Sequence, residues 1–125
     1  MKIIVAGTGY VGLVHAAVSS EFGHEVYAYD NDSDKLKAFS SGKTDQIVRY
    51  VNEPGLPDTI RKVHGRHLFF STDLDAIIEG TDAIFLCLPT PPNRDGSTNL
   101  TYYDAAIETI GAKLAARKDK RRVVI

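Results

Sequence analysis

The sequence predicts an α/β protein: a doubly wound parallel sheet in three layers, helix over sheet over helix, incomplete at its fifth strand. Three observations predict it. Strand-like runs alternate with helical stretches along all 125 residues. The runs KIIVA and IFLCL are nearly continuous in apolar side chains, as strands covered on both faces must be. Three glycines, in GTGYVG, stand where the first strand gives way to the first helix.

Each element follows from local chemistry. Residues 2–6 make a short apolar strand. Residues 11–22 read as a helix with a broad apolar surface from Val11, Leu13, Val14, Ala17, Val18 and Phe22, stopped by Gly23. EVYAYD is a second strand closing on Asp30. Asn31-Asp32-Ser33 caps a helix through Lys35, Leu36, Ala38 and Phe39 that ends at Gly42. The next stretch is less regular: a loop holding Pro54-Gly55 and Pro57, then a short helix over 58–63. HLFFS is a third strand, 74–78 a helical turn or two, and DAIFLCL a fourth strand. Asn99 or Thr101 caps a long helix over 102–116, with Tyr103, Ala106, Ile107, Ile110 and Leu114 on one face. VVI begins a fifth strand and stops inside it, so the chain reads as a piece of something longer.

Composition narrows the function. Hydrophobic residues at 43% and charged residues at 25% are an ordinary soluble mixture, and 15 basic against 16 acidic side chains leave no footprint for a nucleic acid. The single basic run, Arg117 to Arg122, reads as a solvated turn. One cysteine, Cys87, excludes an internal disulfide and a clustered-cysteine zinc site, and the four histidines lack metal-ligand spacing. No metal is expected. With no apolar run near the 18 residues a membrane span needs and no cleavable leader, the expected location is the cytoplasm.

The glycines sit in the first βαβ unit, and their spacing there has a physical reading. Gly7 allows the tight turn, Gly9 lets a pyrophosphate approach the backbone, and Gly12 lets the helix pack close to the strand. The helix N-terminus then offers unpaired N–H groups to the phosphates. This is the fingerprint of a Rossmann dinucleotide site. The same glycines could serve as a bare structural turn. A phosphate-loop NTPase is poorly supported, because the Lys-Ser/Thr ending is missing. Asp30, 23 residues after Gly7, completes the pattern: its carboxylate can accept both ribose hydroxyls of an adenosine. It disfavours a 2′-phosphate, and no arginine follows the strand to offset it, so NAD is favoured over NADP. FAD uses the same fingerprint. Thr90, after the fourth strand, can reach a cofactor at the carboxyl edge of the sheet. Lys35 either reaches the adenosine side or is an exposed helical lysine. Cys87 reads as a packed thiol, and His15 has no neighbour in sequence to orient it. No complete catalytic set remains.

The order MKIIVAGTGYVGLVHAAVSSEFGHEVYAYDNDSDKLKAFSSG, then NEPGL, then STDLDAIIEGTDAIFLCLPTPPNRDGSTNL closely resembles the N-terminal domain of the UDP-glucose/GDP-mannose dehydrogenase family across essentially the whole chain. The resemblance implies an NAD-binding Rossmann domain over residues 1–125, truncated, with the C-terminal catalytic and substrate-binding domains absent. It implies an oxidation of the C6 alcohol of a nucleotide-linked hexose to a carboxylate with two NAD, in a full-length homodimer acting on a nucleotide sugar. Cofactor contacts are implied at Gly7, Gly9, Tyr10, Val11, Gly12, Asp30, Lys35 and Thr90, and no catalytic residue in this chain. The family's nucleophilic cysteine lies in the missing half and Cys87 does not match it, so the fragment alone should be inactive. Pro89 stands where the family commonly has glycine. Two rival readings stay open on the residues: another Rossmann dehydrogenase, and a non-enzymatic NAD-sensing domain.

Overall fold

The computed structural model describes residues 1–119, 123 and 125. Its elements run β1 (Lys2–Ala6), α1 (Tyr10–Glu21), β2 (Glu25–Tyr29), α2 (Ser33–Ser40), α3 (Thr44–Val48), α4 (Leu56–Val63), β3 (Leu68–Ser71), α5 (Leu74–Ile77), β4 (Ala83–Leu86) and α6 (Thr101–Ala116). The four strands form one parallel sheet in the order β3-β2-β1-β4. The chain therefore winds outward from β1 to β3, then crosses back to place β4 on the other side of β1.

β1 lies between β2 and β4, with Ile3 level with Val26 and Ala83, and Ala6 level with Tyr29 and Leu86. This central position accounts for its unbroken apolar run. Alternate side chains enter opposite layers. Ile3 and Val5 pack with Leu13, Phe39, Ile60 and Leu68 on one face, while Ile4 and Ala6 pack with Leu74, Ile77, Ile84 and Ile110 on the other. Each fully buried aliphatic side chain of this kind contributes about 1.5–3 kcal/mol, so two complete layers hold the strand that carries the glycine loop. The doubly wound α/β class predicted from the sequence is the one observed.

The differences have local causes. A helix, α3, occupies part of the expected loop: Gly42 turns the chain at φ 68°, and one turn then buries Ile47 and Val51. Lys43 at its start makes no side-chain cap, so no start signal marks it. Helix α4 begins at Leu56 rather than 58, because Gly55 is left-handed and Pro57 sits in the first turn, where its missing N–H costs nothing. Strand β4 ends at Leu86 rather than 88, where its partner β1 leaves the ladder at Gly7. In α6, Ala106, Ile110 and Leu114 meet the core while Ile107 is 52% exposed and off that face. Neither expected residue caps this helix: it starts at Thr101 with Leu100 in the capping position and no side-chain cap, and Asn99 Oδ1, one residue earlier, accepts from the Thr101 N–H at 2.9 Å. Arg117, expected in a solvated turn, is instead buried, paired with Asp119 at 2.7 Å and donating to the Thr81 carbonyl. The rest of that basic run, and the fifth strand expected at VVI, which needs Val124, lie outside the described residues.

Candidate functional site

The three glycines of the β1–α1 turn differ in what surrounds them. Gly7 has φ 97°, and a Cβ there would lie 2.4 Å from the Cys87 carbonyl oxygen. The turn thus lies directly against the end of β4, and only glycine fits both the conformation and the space. At Gly12 a Cβ would lie 1.9 Å from the Gly7 carbonyl oxygen and 3.0 Å from Cys87 Cβ, so α1 is packed hard against its own loop. Gly9 is unlike either: a Cβ there would meet nothing within 4 Å. Space is kept open at this one glycine, beside a helix start that has no side-chain cap and no acidic residue in its first turn. The N–H groups of that turn and the positive end of the helix dipole are what an anion would meet there.

Asp30 follows the last residue of β2, with its backbone N–H on the Ser71 carbonyl at 3.3 Å. Its carboxylate is heavily engaged. Oδ2 accepts from the Thr8 N–H at 2.9 Å and the Thr8 hydroxyl at 2.7 Å, and pairs with Lys35 Nζ at 2.6 Å. Oδ1 accepts from the Asp32 N–H at 3.0 Å. Burial works to lift this carboxyl, but the Lys35 ammonium and the donors from Thr8 and Asp32 outweigh it and hold the group below the ordinary aspartate range. Lys35 is delivered by α2, whose start is capped by Asp32 Oδ1 on the Asp34 and Lys35 N–H groups. No arginine follows the strand, and the cation beside Asp30 is instead Lys35, five residues on, which folds back onto the carboxylate.

A cavity of about 840 Å³ joins these parts at the carboxyl ends of β1, β2 and β4. Gly7, Gly9, Tyr10, Val11, Asp30 and Lys35 all line it. Gly12 does not; its place is beneath the loop, where it closes the helix onto the turn. Thr90 is exposed and outside the lining, while the preceding Pro89 is part of it. The sequence reading missed Thr8, fully buried between two glycines, and the α6 wall, where Tyr103 donates to the Leu86 carbonyl at 2.9 Å. A hydroxyl residue one place after Gly7 was the available signal for the first; nothing in the sequence brings α6 over the strand ends. Cys87 lines the floor, its thiol pushed up by burial. His15 faces the Phe85 ring at 4.2 Å, away from this constellation.

The donor set suits a dinucleotide. The open backbone at Gly9 with the uncapped helix start, the Asp30 carboxylate, and apolar walls from Leu86, Leu88 and Pro89 suit a pyrophosphate, a ribose and flat rings respectively. The volume falls within the about 300–1,000 Å³ of small-molecule clefts. Among the described residues, no group of three or more histidine, cysteine, aspartate or glutamate side chains is placed to hold a metal ion, and no helix is long and apolar enough to cross a membrane.

Comparison with known proteins gives a consistent result. The family model described as UDP-glucose/GDP-mannose dehydrogenase family, NAD binding domain, matches residues 1–125. The UDP-glucose 6-dehydrogenase AglM of Haloferax volcanii is 37% identical over 124 residues, 99% of this chain and 27% of that protein. The GDP-mannose 6-dehydrogenase of Pseudomonas syringae pv. syringae is 32% identical over 126 residues, all of this chain and 28% of that protein. Among solved structures, the ternary complex of GDP-mannose dehydrogenase from Pseudomonas aeruginosa superposes with a TM-score of 0.83 at 32% identity, over 99% of this chain and 28% of that one. The chain thus spans about a quarter of the length of these relatives.

Proposed function

Because this chain belongs to the UDP-glucose/GDP-mannose dehydrogenase family, as its NAD-binding domain, we propose that it is the cofactor half of a nucleotide-sugar 6-dehydrogenase. The reaction is oxidation of the C6 alcohol of a UDP- or GDP-linked hexose to the carboxylate. The observation that carries this reading is one cavity lined by both the open glycine and the Asp30 carboxylate.

NAD, when bound, supplies the hydride acceptor. Passing from alcohol to carboxylate removes two hydrides and takes up one water, so two NAD are consumed in succession. This chain's residues bind and orient. Gly9 and the first turn of α1 receive the pyrophosphate; Asp30 accepts from the adenosine ribose, with Lys35 beside it. Tyr10 and Val11 line the same loop, and Gly7 and Gly12 hold it against β4. Thr90, exposed and outside the lining, joins the site when the segment after β4 turns inward. The packed Cys87 thiol, with its raised pKa, is a poor nucleophile at neutral pH. The base and nucleophile of the oxidation, the nucleotide-sugar pocket and the homodimer interface are assigned to the further length that the relatives have.

Calorimetric titration of this chain with NAD, and with NADP alongside, tests the reading. Saturable binding with NAD preferred is expected. A correctly folded chain that binds neither overturns it. Steady NADH production from UDP-glucose or GDP-mannose by these residues alone would show that the chemistry has been assigned to the wrong part.

A further inference from the structure

Thr8 is 0% exposed, and both of its polar donors end on a single atom, Oδ2 of Asp30. With Lys35 Nζ added, that oxygen receives three donors, while Oδ1 receives one, from the Asp32 N–H. A carboxylate has about four acceptor sites in all, two on each oxygen. Oδ2 is therefore saturated by the protein, and Oδ1 keeps an acceptor site to spare. A two-point grip, with one ribose hydroxyl on each oxygen, does not fit this arrangement.

We propose that the Thr8 hydroxyl is a positioning residue for the cofactor: with Lys35 it commits Oδ2 of Asp30 to the protein and leaves Oδ1 as the oxygen that takes a ribose hydroxyl. This rests on the reading that the adenosine ribose lies at Asp30. Thr8 is among the residues around the cavity, but its hydroxyl is spent on Asp30, so it acts by holding the torsion of that side chain. Without its hydroxyl, Oδ2 keeps the Thr8 N–H and the flexible Lys35, and Oδ1 keeps the Asp32 N–H, so the carboxylate is held less tightly about its last bond. The ribose then meets a wider spread of carboxylate orientations, and ordering them on binding weakens affinity.

The test is a cycle of variants titrated with NAD. Thr8→Val keeps the shape and the backbone N–H but removes the hydroxyl. It should weaken NAD binding about fivefold, a part of the about tenfold lost with the Asp30 carboxylate itself. Thr8→Ser should restore affinity to within about twofold by returning the donor. In an Asp30→Ala background, Thr8→Val should change affinity less than about twofold, because the group it positions is gone. If Thr8→Val melts far below the wild type, Thr8→Ala, which adds no atom to the buried site, carries the same comparison. Unchanged NAD affinity in the valine or alanine variant overturns the inference, as does an equal loss with and without Asp30, which would mark a structural role only. Absence of NAD binding by the unsubstituted chain would instead overturn the cofactor reading, and the inference with it.

Discussion

Gly9 and Gly12 lie three residues apart in one loop, yet a methyl group added to each should fail in opposite ways. At Gly12 the new Cβ lands 1.9 Å from the Gly7 carbonyl oxygen, a backbone atom that cannot swing aside. Relief requires α1 to back away from β1, and α1 buries Leu13, Ala16 and Ala17 against the sheet. Overpacking of this kind costs about 3 kcal/mol, which at about 4 °C per kcal/mol lowers the melting temperature by roughly 12 °C. At Gly9 nothing lies within 4 Å and φ is −70°, so Gly9→Ala should cost only about 0.5 kcal/mol, as a poorer N-cap. Its methyl group instead occupies the volume of the pyrophosphate. Losing two charge-assisted hydrogen bonds at about 1.5 kcal/mol each weakens NAD more than about 100-fold. Thermal melts and NAD titrations of the two variants check both halves. A Gly9→Ala protein that binds NAD normally refutes the phosphate placement. A Gly12→Ala protein that melts like the wild type refutes the contact argument.

Other perturbations reach the ribose end and the fold. Asp30→Ala should weaken NAD about tenfold and narrow its margin over NADP, since Lys35 is left without its carboxylate beside the space of a 2′-phosphate; parallel titrations with both cofactors measure this, and an unchanged ratio places selection elsewhere. The Asp30 carboxyl is held below its ordinary range in the folded state, so it contributes stability above the unfolded value that is lost as pH falls from there through the lowered folded value. Acid melts should show this loss in the wild type and a flatter slope in Asp30→Asn. Asp32→Ala removes the cap of α2 and should lower stability by about 1 kcal/mol in a denaturant titration.

The sheet was legible because β1 to β4 announce themselves by apolar runs closed by glycine, aspartate or proline, and because each helix but α3 has either a cap or an apolar stripe. Helix α3 was hidden: five residues carry too little periodicity, and its cause is Gly42 and the burial of Ile47, which only the tertiary structure supplies. At the site, Gly7, Gly9, Gly12 and Asp30 could be read from spacing alone, because each does its work through backbone geometry at a fixed place in a βαβ unit. The partners of Asp30 could not. Thr8 and Lys35 meet its carboxylate from either side of it in sequence, and no local pattern tells that both are aimed at one oxygen. The same limit applies to Arg117, which a charge count places in solvent and the fold places in the interior with Asp119.

The two walls of the cavity are unequally anchored. On one side α1 sinks Leu13, Ala16, Ala17 and Ser20 into the sheet layer; on the other, α6 is a longer helix in which Ile110 is the buried residue. Local opening free energies follow buried contacts, so the amide hydrogens of α6 should exchange with solvent faster than those of α1. The proposed phosphate seat thus lies on the more firmly held of the two walls.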